Sequence, residues 1–155
     1  MSSPSGTAKG PGAGDMIEGG KTYEGGCHCG TVRFRFTMPA EPVIRRCNCT
    51  ICAMKGVVML DVSIADCEIL QGKDALTLYT FGSGQAKHRF CSKCGIHPFH
   101  QLRSEPDHYG INLACIEGMT IYDLPEIPVF DGQNHPGDGG EYGYVGVMRF
   151  ERHRN

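Results

Sequence analysis

The sequence has no tryptophan, almost no net charge and no long apolar run. Its 15 basic and 17 acidic residues give a formal net charge of −2, which does not favour binding to nucleic acid or to an anionic membrane. No segment approaches the roughly 20 apolar residues that span a bilayer, and residues 1–20 lack the apolar centre of a secretory signal. The sequence therefore predicts a cytoplasmic protein that binds neither nucleic acid nor membranes.

Complete disulfide pairing within one chain is also excluded, because the nine cysteines are an odd number. A chain of 155 residues buries roughly two thirds of its surface on folding, so it does not depend on disulfides for a core. In the reducing compartment expected here, clustered cysteines more often ligate metals or act as nucleophiles. The cysteines therefore carry most of the functional information.

The chain divides into a tail, residues 1–20, and one domain, residues 21–150. The tail is rich in glycine, serine and proline, so it cannot bury enough apolar surface to offset its ordering entropy, and it is predicted to be disordered. Residues 131–143, which are rich in glycine, aspartate, asparagine and proline, are predicted to form a mobile loop.

The domain is predicted to be mainly β, with short antiparallel strands and cysteines in the turns between them. Residues 31–37, TVRFRFT, alternate apolar and polar side chains with the period of two that is typical of a half-buried strand. Residues 67–70 and 76–81 are expected to pair around the turn at residues 71–74. A short helix is predicted at residues 51–55, with Thr50 as its N-cap and Gly56 at its end. Further strands are predicted at residues 57–62, 87–90, 96–101, 109–115 and 144–150.

Seven cysteines fall into three tight clusters, Cys27-x-Cys29, Cys47-x-Cys49-x-x-Cys52 and Cys91-x-x-Cys94. The C-x-x-C turn before Gly95 is a strong indication of zinc binding, because glycine can adopt the positive φ that such turns require. A C-x-C pair must lie in a turn to place both sulfurs on one metal.

The spacing suggests two zinc ions per chain. Cys27, Cys29, Cys91 and Cys94 would complete a four-sulfur structural site, whereas Cys47, Cys49 and Cys52 would leave one coordination position open, as in catalytic zinc sites. Three alternatives remain: the three-cysteine group could be inert buried thiols, a thiol–disulfide switch, or a site closed by a histidine. Cys67 and Cys115 stand alone in apolar strand patterns and are predicted to be core thiols.

Three motifs together are similar to those of the glutathione-dependent formaldehyde-activating enzyme family, whose domain is shared with centromere protein V. They are GGCHCGTVRF at 25–34, CNCTIC at 47–52 and HRFCSKCGIHPF at 88–99. The resemblance implies a zinc-containing, mainly β fold of the Mss4-like type. It also implies the same division into a structural zinc at Cys27, Cys29, Cys91 and Cys94 and a catalytic zinc at Cys47, Cys49 and Cys52. The implied activity joins glutathione and formaldehyde to S-(hydroxymethyl)glutathione, or runs in reverse.

Candidate residues for the remaining roles lie beside these clusters. His97 matches a position near the metal centres of the family and is a candidate general acid–base, with packing or a hydrogen bond as the alternative. Arg45 and Arg46 precede Cys47 and could bind the carboxylates of a small thiol, with glutathione as one candidate; the alternative is that they are solvated surface charges. Two functions remain: a zinc-dependent carbon–sulfur lyase acting on a thiol–aldehyde adduct, and a non-catalytic zinc module that binds a protein partner.

Overall fold

The computed structural model describes residues 17–154, so most of the predicted disordered tail lies outside the described residues. Ile17 is already part of the buried core, and the Gly20 amide donates a hydrogen bond to the Met38 carbonyl oxygen over 2.8 Å. The described chain is therefore attached to the domain from its first residue.

Within these residues the chain forms eleven strands and one short α-helix, with several single 3-10 turns between them. The elements are β1 (Thr22–Gly26), β2 (Arg33–Thr37), β3 (Ile44–Cys47), α1 (Thr50–Lys55), β4 (Met59–Ser63), β5 (Cys67–Gln71), β6 (Leu76–Tyr79), β7 (Lys87–Cys91), β8 (Phe99–Gln101), β9 (His108–Asn112), β10 (Glu126–Phe130) and β11 (Tyr144–Arg149). A small sheet has the strand order β1-β2-β5, and a large sheet has the order β11-β10-β3-β4-β9-β8-β7-β6. The predicted mainly β fold is confirmed. No helix among the described residues is long and apolar enough to cross a membrane.

The two sheets enclose one principal core. Phe34 and Phe36 of β2 are fully buried, whereas Arg35 between them is exposed, as the alternation predicted. The Phe34 ring meets the Phe99 ring of β8 edge to face, with centroids 5.9 Å apart. Burying a side chain of this size contributes about 1.5–3 kcal/mol, so these contacts hold the small sheet against the large one.

The predicted pairing of residues 67–70 with residues 76–81 is wrong. Strand β5 pairs with β2 in the small sheet, and β6 pairs with β7 in the large sheet. The 3-10 turn Lys73–Ala75 follows Gly72, whose φ is 81°, and the chain passes from one sheet to the other there. The β5–β2 pairing also places Glu68 3.7 Å from the Arg35 guanidinium.

Strands β3 and β10 pair in parallel within an otherwise antiparallel sheet, with Phe130 opposite Cys47. Parallel neighbours end at the same sheet edge, so the segment after β3 and the segment after β10 leave the sheet side by side. This pairing places residues 131–143 against the three-cysteine cluster.

Candidate functional site

The four-cysteine group joins the two sheets. Cys27 and Cys29 follow β1 of the small sheet, whereas Cys91 ends β7 of the large sheet and Cys94 follows it. The structure brings all four sulfurs within 4.8 Å of one another. Gly30 and Gly95, which end the two turns, have φ values of 81° and 77°, so each turn uses the left-handed conformation that favours glycine.

The sulfur spacing of this group fits a tetrahedral zinc ion. Sulfurs that each lie about 2.3 Å from zinc are about 3.8 Å apart along a tetrahedral edge. Cys29 Sγ lies 3.7 Å from Cys27 Sγ and 3.8 Å from Cys91 Sγ. Backbone amides also point at the sulfurs, since Val32 N lies 3.3 Å from Cys27 Sγ and Lys93 N lies 3.4 Å from Cys91 Sγ. The donor set could therefore hold a zinc ion.

The three-cysteine group is formed by the end of β3 and the start of α1. Cys47 ends the strand, Cys49 is the N-cap of the helix and Cys52 lies in its first turn. The N-cap is thus one residue earlier than predicted, and Thr50 is the first helical residue. Cys49 has extended φ and ψ angles and no side-chain capping bond, which leaves its thiol free to face its two neighbours. Gly56 ends the helix with a φ of 64°, as a left-handed C-cap requires.

The three sulfurs of this group also lie within 4.8 Å of one another, and no fourth His, Cys, Asp or Glu ligand of the described residues joins them. Hydrogen bonds from the thiols of Cys47 and Cys52 lower the pKa of Cys49, and the same pairing raises the pKa of Cys52. Three cysteine sulfurs this close together are a soft donor set of the kind that suits zinc.

A cavity of about 370 Å³ opens at the three-cysteine group and not at the four-cysteine group. Cys47, Cys49 and Cys52 all line it, whereas none of the four other clustered cysteines does. The volume lies in the range typical of small-molecule sites. The apolar part of the wall consists of Ile51, Met59, Phe81, Leu102 and Phe130. The two cysteine groups therefore differ in whether they line this cavity as well as in ligand number.

Residues 131–143, predicted to be a mobile loop, are tied to the turn between β3 and α1. Asn48 Nδ2 donates to Asp131 Oδ1 over 3.2 Å, and the Gln133 amide donates to Asn48 Oδ1 over 3.0 Å. Between these two attachments, Gly132 packs directly on the cysteines. A Cβ at Gly132 would lie far inside contact distance of Cys47 Sγ and 3.0 Å from Cys49 Cβ. The loop therefore forms one wall of the cavity, and only glycine fits at its point of closest approach.

The two arginines predicted to bind substrate lie on opposite faces of β3, because successive strand residues alternate in direction. Arg45 lines the cavity, whereas Arg46 does not. The Arg45 side chain is only 5% exposed; its Nη2 lies 3.2 Å from Asp61 Oδ2, and its guanidinium stacks on the Phe130 ring at 5.0 Å. The Arg45 guanidinium thus already interacts with two other side chains of the protein.

His97, the predicted acid–base candidate, does not line the cavity. Its Nδ1 lies 2.9 Å from the Arg89 carbonyl oxygen, and Lys55 Nζ lies 3.3 Å from the ring. His88 and His100 line the cavity instead. They are directly opposite each other on β7 and β8, and their rings stack with centroids 4.9 Å apart.

The Lys55 amine lies beside these histidines, with its Nζ 2.8 Å from His88 Nδ1. Burial and the Lys55 charge together lower the pKa of His88 to about 4 and that of His97 to about 3. Burial also lowers the pKa of His100, so all three imidazoles favour the neutral form near pH 7. The sequence could have indicated His88 and His100, because a hairpin around the Cys91–Cys94 turn pairs the strands before and after it and places these two histidines opposite each other.

Four described side-chain atoms are buried without a hydrogen-bond partner, and all belong to this region: Arg45 Nε, Asp61 Oδ1, His100 Nδ1 and Arg103 Nε. Arg45, His100 and Arg103 line the cavity, and Asp61 is the ion-pair partner of Arg45. Buried polar groups are nearly always satisfied in native proteins. Their concentration here indicates that the cavity is built to receive a polar ligand or water.

The two remaining cysteines lie outside both groups. Cys67 and Cys115 are half-buried and pack against the principal core. Burial raises the pKa of Cys67 to about 11 and that of Cys115 to about 12, so both are inert thiols at neutral pH.

Comparison with known proteins relates this arrangement to one family. The family model of the glutathione-dependent formaldehyde-activating enzyme matches residues 22–130. A curated relative from Halomonas elongata, named "Putative glutathione-dependent formaldehyde-activating enzyme", is 34% identical over 79 residues, which are 46% of this chain and 50% of the relative. The chain thus spans about half the length of that curated relative.

A crystal structure of a Rhodobacter sphaeroides protein is also similar. It is 40% identical with a TM-score of 0.63, and the match covers 68% of this chain and 98% of that one. The family match at residues 22–130 contains all seven clustered cysteines. The chain therefore belongs to the glutathione-dependent formaldehyde-activating enzyme family.

Proposed function

We propose that the protein is a carbon–sulfur lyase that requires two zinc ions per chain and acts on a small thiol–aldehyde adduct, such as that of glutathione and formaldehyde. Cys27, Cys29, Cys91 and Cys94 would hold the structural ion. Cys47, Cys49 and Cys52 would hold the catalytic ion.

One observation carries this proposal: the cavity opens at the group that has only three cysteines. A structural zinc site is closed by four protein ligands, whereas a catalytic site keeps one position for water or substrate. When bound, zinc at this group would supply a coordination position for a substrate thiol and would lower the pKa of that thiol. A fourth protein ligand would have favoured a purely structural role, and none of the described residues supplies one.

The reaction requires a proton acceptor beside the adduct. In cleavage, the hydroxyl proton of the hemithioacetal moves to a base, the C=O bond forms, and the carbon–sulfur electron pair returns to sulfur. In synthesis, the thiolate adds to the aldehyde carbon, and the new alkoxide takes the proton back. His88, His100 and His135 all line the cavity wall. Lys55 Nζ contacts His88 Nδ1, whereas His100 Nδ1 is buried without a hydrogen-bond partner, so we assign this role to the stacked pair of His88 and His100.

His97 then acts through its neighbours. It lies behind the wall against Lys55, which in turn contacts His88 Nδ1 at 2.8 Å. A hydrogen-bonded partner of this kind fixes the tautomer and orientation of the imidazole in front of it. We therefore regard His97 and Lys55 as positioning residues.

A non-catalytic module that binds a protein partner is the second candidate. Strand β11 is exposed along its whole length at the edge of the large sheet, and Val145, Val147 and Met148 are each about half exposed. An exposed apolar edge strand is a template for pairing with another chain. This surface favours a partner but does not explain the cavity at the cysteines.

The distinguishing experiment measures metal content, thiol binding and turnover on the same protein. We expect about two zinc ions per reduced chain, calorimetric binding of glutathione, and release of formaldehyde from S-(hydroxymethyl)glutathione. Cys49→Ser should lose one zinc, glutathione binding and turnover. Cys115→Ser removes a thiol outside both groups and serves as the matched control. Absence of thiol binding by zinc-loaded wild type would instead support the partner-binding module.

A further inference from the structure

We propose that the cavity selects a thiol adduct that carries a carboxylate, and that Arg103 recognises this carboxylate in competition with Asp138. The inference rests on the proposed function, because it assumes that the thiol end of the ligand lies at the three-cysteine group. It goes further by naming the chemical feature that the rest of the cavity recognises.

Arg103 already holds a carboxylate in the cavity wall. Its Nη1 lies 3.0 Å from Asp138 Oδ2, and its Nη2 lies 2.7 Å from Asp138 Oδ1. This is the bidentate fork with which arginine binds carboxylates. Both side chains line the cavity, so Asp138 marks a position where a ligand carboxylate would meet the same fork.

The Asp138 carboxylate can leave that position easily. Its side chain is 62% exposed, and that of Arg103 is 28% exposed. Asp138 belongs to a three-residue 3-10 turn, Pro136–Asp138, inside the loop of residues 131–143. Exposed ion pairs contribute little to stability, so a ligand can replace Asp138 while the core is undisturbed.

The other arginine of the cavity cannot exchange its partner in this way. Arg45 is buried, and its ion pair with Asp61 is closed within the protein. Withdrawing Arg45 would leave a buried carboxylate unpaired, which is strongly destabilising. Among the described residues that line the cavity, Arg103 is therefore the cation whose carboxylate partner a ligand can replace.

The loop of residues 131–143 contacts both Arg103 and the three-cysteine group. At one end, Gly132 packs on Cys47 and Cys49; further along, a Cβ at Gly137 would lie 2.9 Å from Arg103 Nη2. Four residues of the loop line the cavity, Gly132, Gln133, His135 and Asp138, and Arg103 Nε is buried without a partner. A ligand with a thiol at one end and a carboxylate at the other matches this arrangement.

Two small thiols that differ only in charge test the inference. The zinc-loaded full chain is titrated calorimetrically with 3-mercaptopropionate and with 3-mercaptopropionamide, which replaces the carboxylate by a neutral amide. We expect wild type to prefer the carboxylate thiol. Asp138→Asn removes the competing charge and should strengthen binding of 3-mercaptopropionate about two- to fivefold while leaving the amide unchanged.

Substitutions of the guanidinium complete the test. Arg103→Gln should abolish the preference, and Arg103→Lys, which keeps the charge but not the fork, should keep only part of it. Arg149→Gln is the control, because it removes an exposed ion pair with Glu126 outside the cavity lining.

The outcomes separate this inference from the proposed function. Equal affinity of wild type for the two thiols, or a preference that persists in Arg103→Gln, would overturn the role of Arg103 while leaving the thiol site in place. Failure of wild type to bind either thiol would contradict the proposed function and this inference together.

Discussion

Replacement of Gly132 by alanine should disable the three-cysteine group without affecting the four-cysteine group. The added Cβ would lie well under 3.0 Å from Cys47 Sγ, a separation that real Cβ atoms essentially never show, and 3.3 Å from the Cys49 backbone nitrogen. Ordinary contact between such atoms is about 3.5–4.0 Å, so the loop and the cysteines must separate by about 1 Å.

That displacement also acts on the attachment of the loop. The Gln133 amide is 3.0 Å from Asn48 Oδ1, and Gln133 Nε2 is 3.1 Å from the Asn48 carbonyl oxygen. An increase of about 1 Å takes both beyond hydrogen-bond distance. Overpacking of this kind typically costs about 1–3 kcal/mol, which corresponds to a fall in Tm of about 2–12 °C for a chain of this size.

The assay combines thermal melts with zinc content and glutathione titration. For Gly132→Ala we expect a lower Tm, loss of the zinc ion at the three-cysteine group and weaker glutathione binding. Gly143→Ala is the matched control in the same loop, because a Cβ there meets no heavy atom within 4 Å. If the two variants have the same Tm, zinc content and thiol affinity, the close approach of the loop to the cysteines does not shape the site.

Three other perturbations have distinct expected outcomes. Cys91→Ala should lower the free energy of unfolding by several kcal/mol, because it opens the link between the sheets. Cys49→Ala should lose zinc and activity but keep its fold. An equal decrease in Tm for the two variants, measured by circular dichroism, would contradict this. Arg45→Met should cost about 3–5 kcal/mol in urea denaturation by leaving its buried carboxylate partner unpaired, against about 0.5 kcal/mol or less for Arg46→Met. The pKa of His88 is about 4 in the folded chain and about 6.5 in the unfolded chain, so the unfolded chain binds more protons between these values and Tm should fall as the pH drops from 6.5 towards 4. His88→Asn should flatten that slope.

The features that the sequence predicted are local ones. The alternation in β2 needs only five residues to specify which side chains are buried, and Gly30 and Gly95 mark the turns of the four-cysteine group by their position after a cysteine. Strands β3 and β10 were missed for physical reasons. Two adjacent arginines conceal the strand character of β3, because Arg45 is buried only through its pairing with Asp61 on the neighbouring strand. Proline within β10 argues against a strand, although β10 lies beside the edge strand of its sheet.

Predicting the cavity requires knowledge of contacts between residues that are far apart in the sequence. Phe130 lies opposite Cys47 across 83 residues of sequence, and without that pairing nothing indicates that residues 131–143 cover the cysteines. The stack of His88 and His100 likewise requires the register of β7 and β8. The sequence therefore indicated the cysteine groups and Arg45, but not His88, His100 and Arg103, which line the cavity and are distant from the three-cysteine group in sequence.

The arrangement of the two cysteine groups fixes the order in which a growing polypeptide can complete them. The three-cysteine group occupies six consecutive residues, 47–52, whereas the four-cysteine group spans residues 27–94. Translation proceeds at about 5–20 residues per second, so the 42 residues from 53 to 94 take about 2–8 s to synthesise. During that interval all three sulfurs of the three-cysteine group are present in the nascent chain, whereas the group that joins the two sheets is still incomplete.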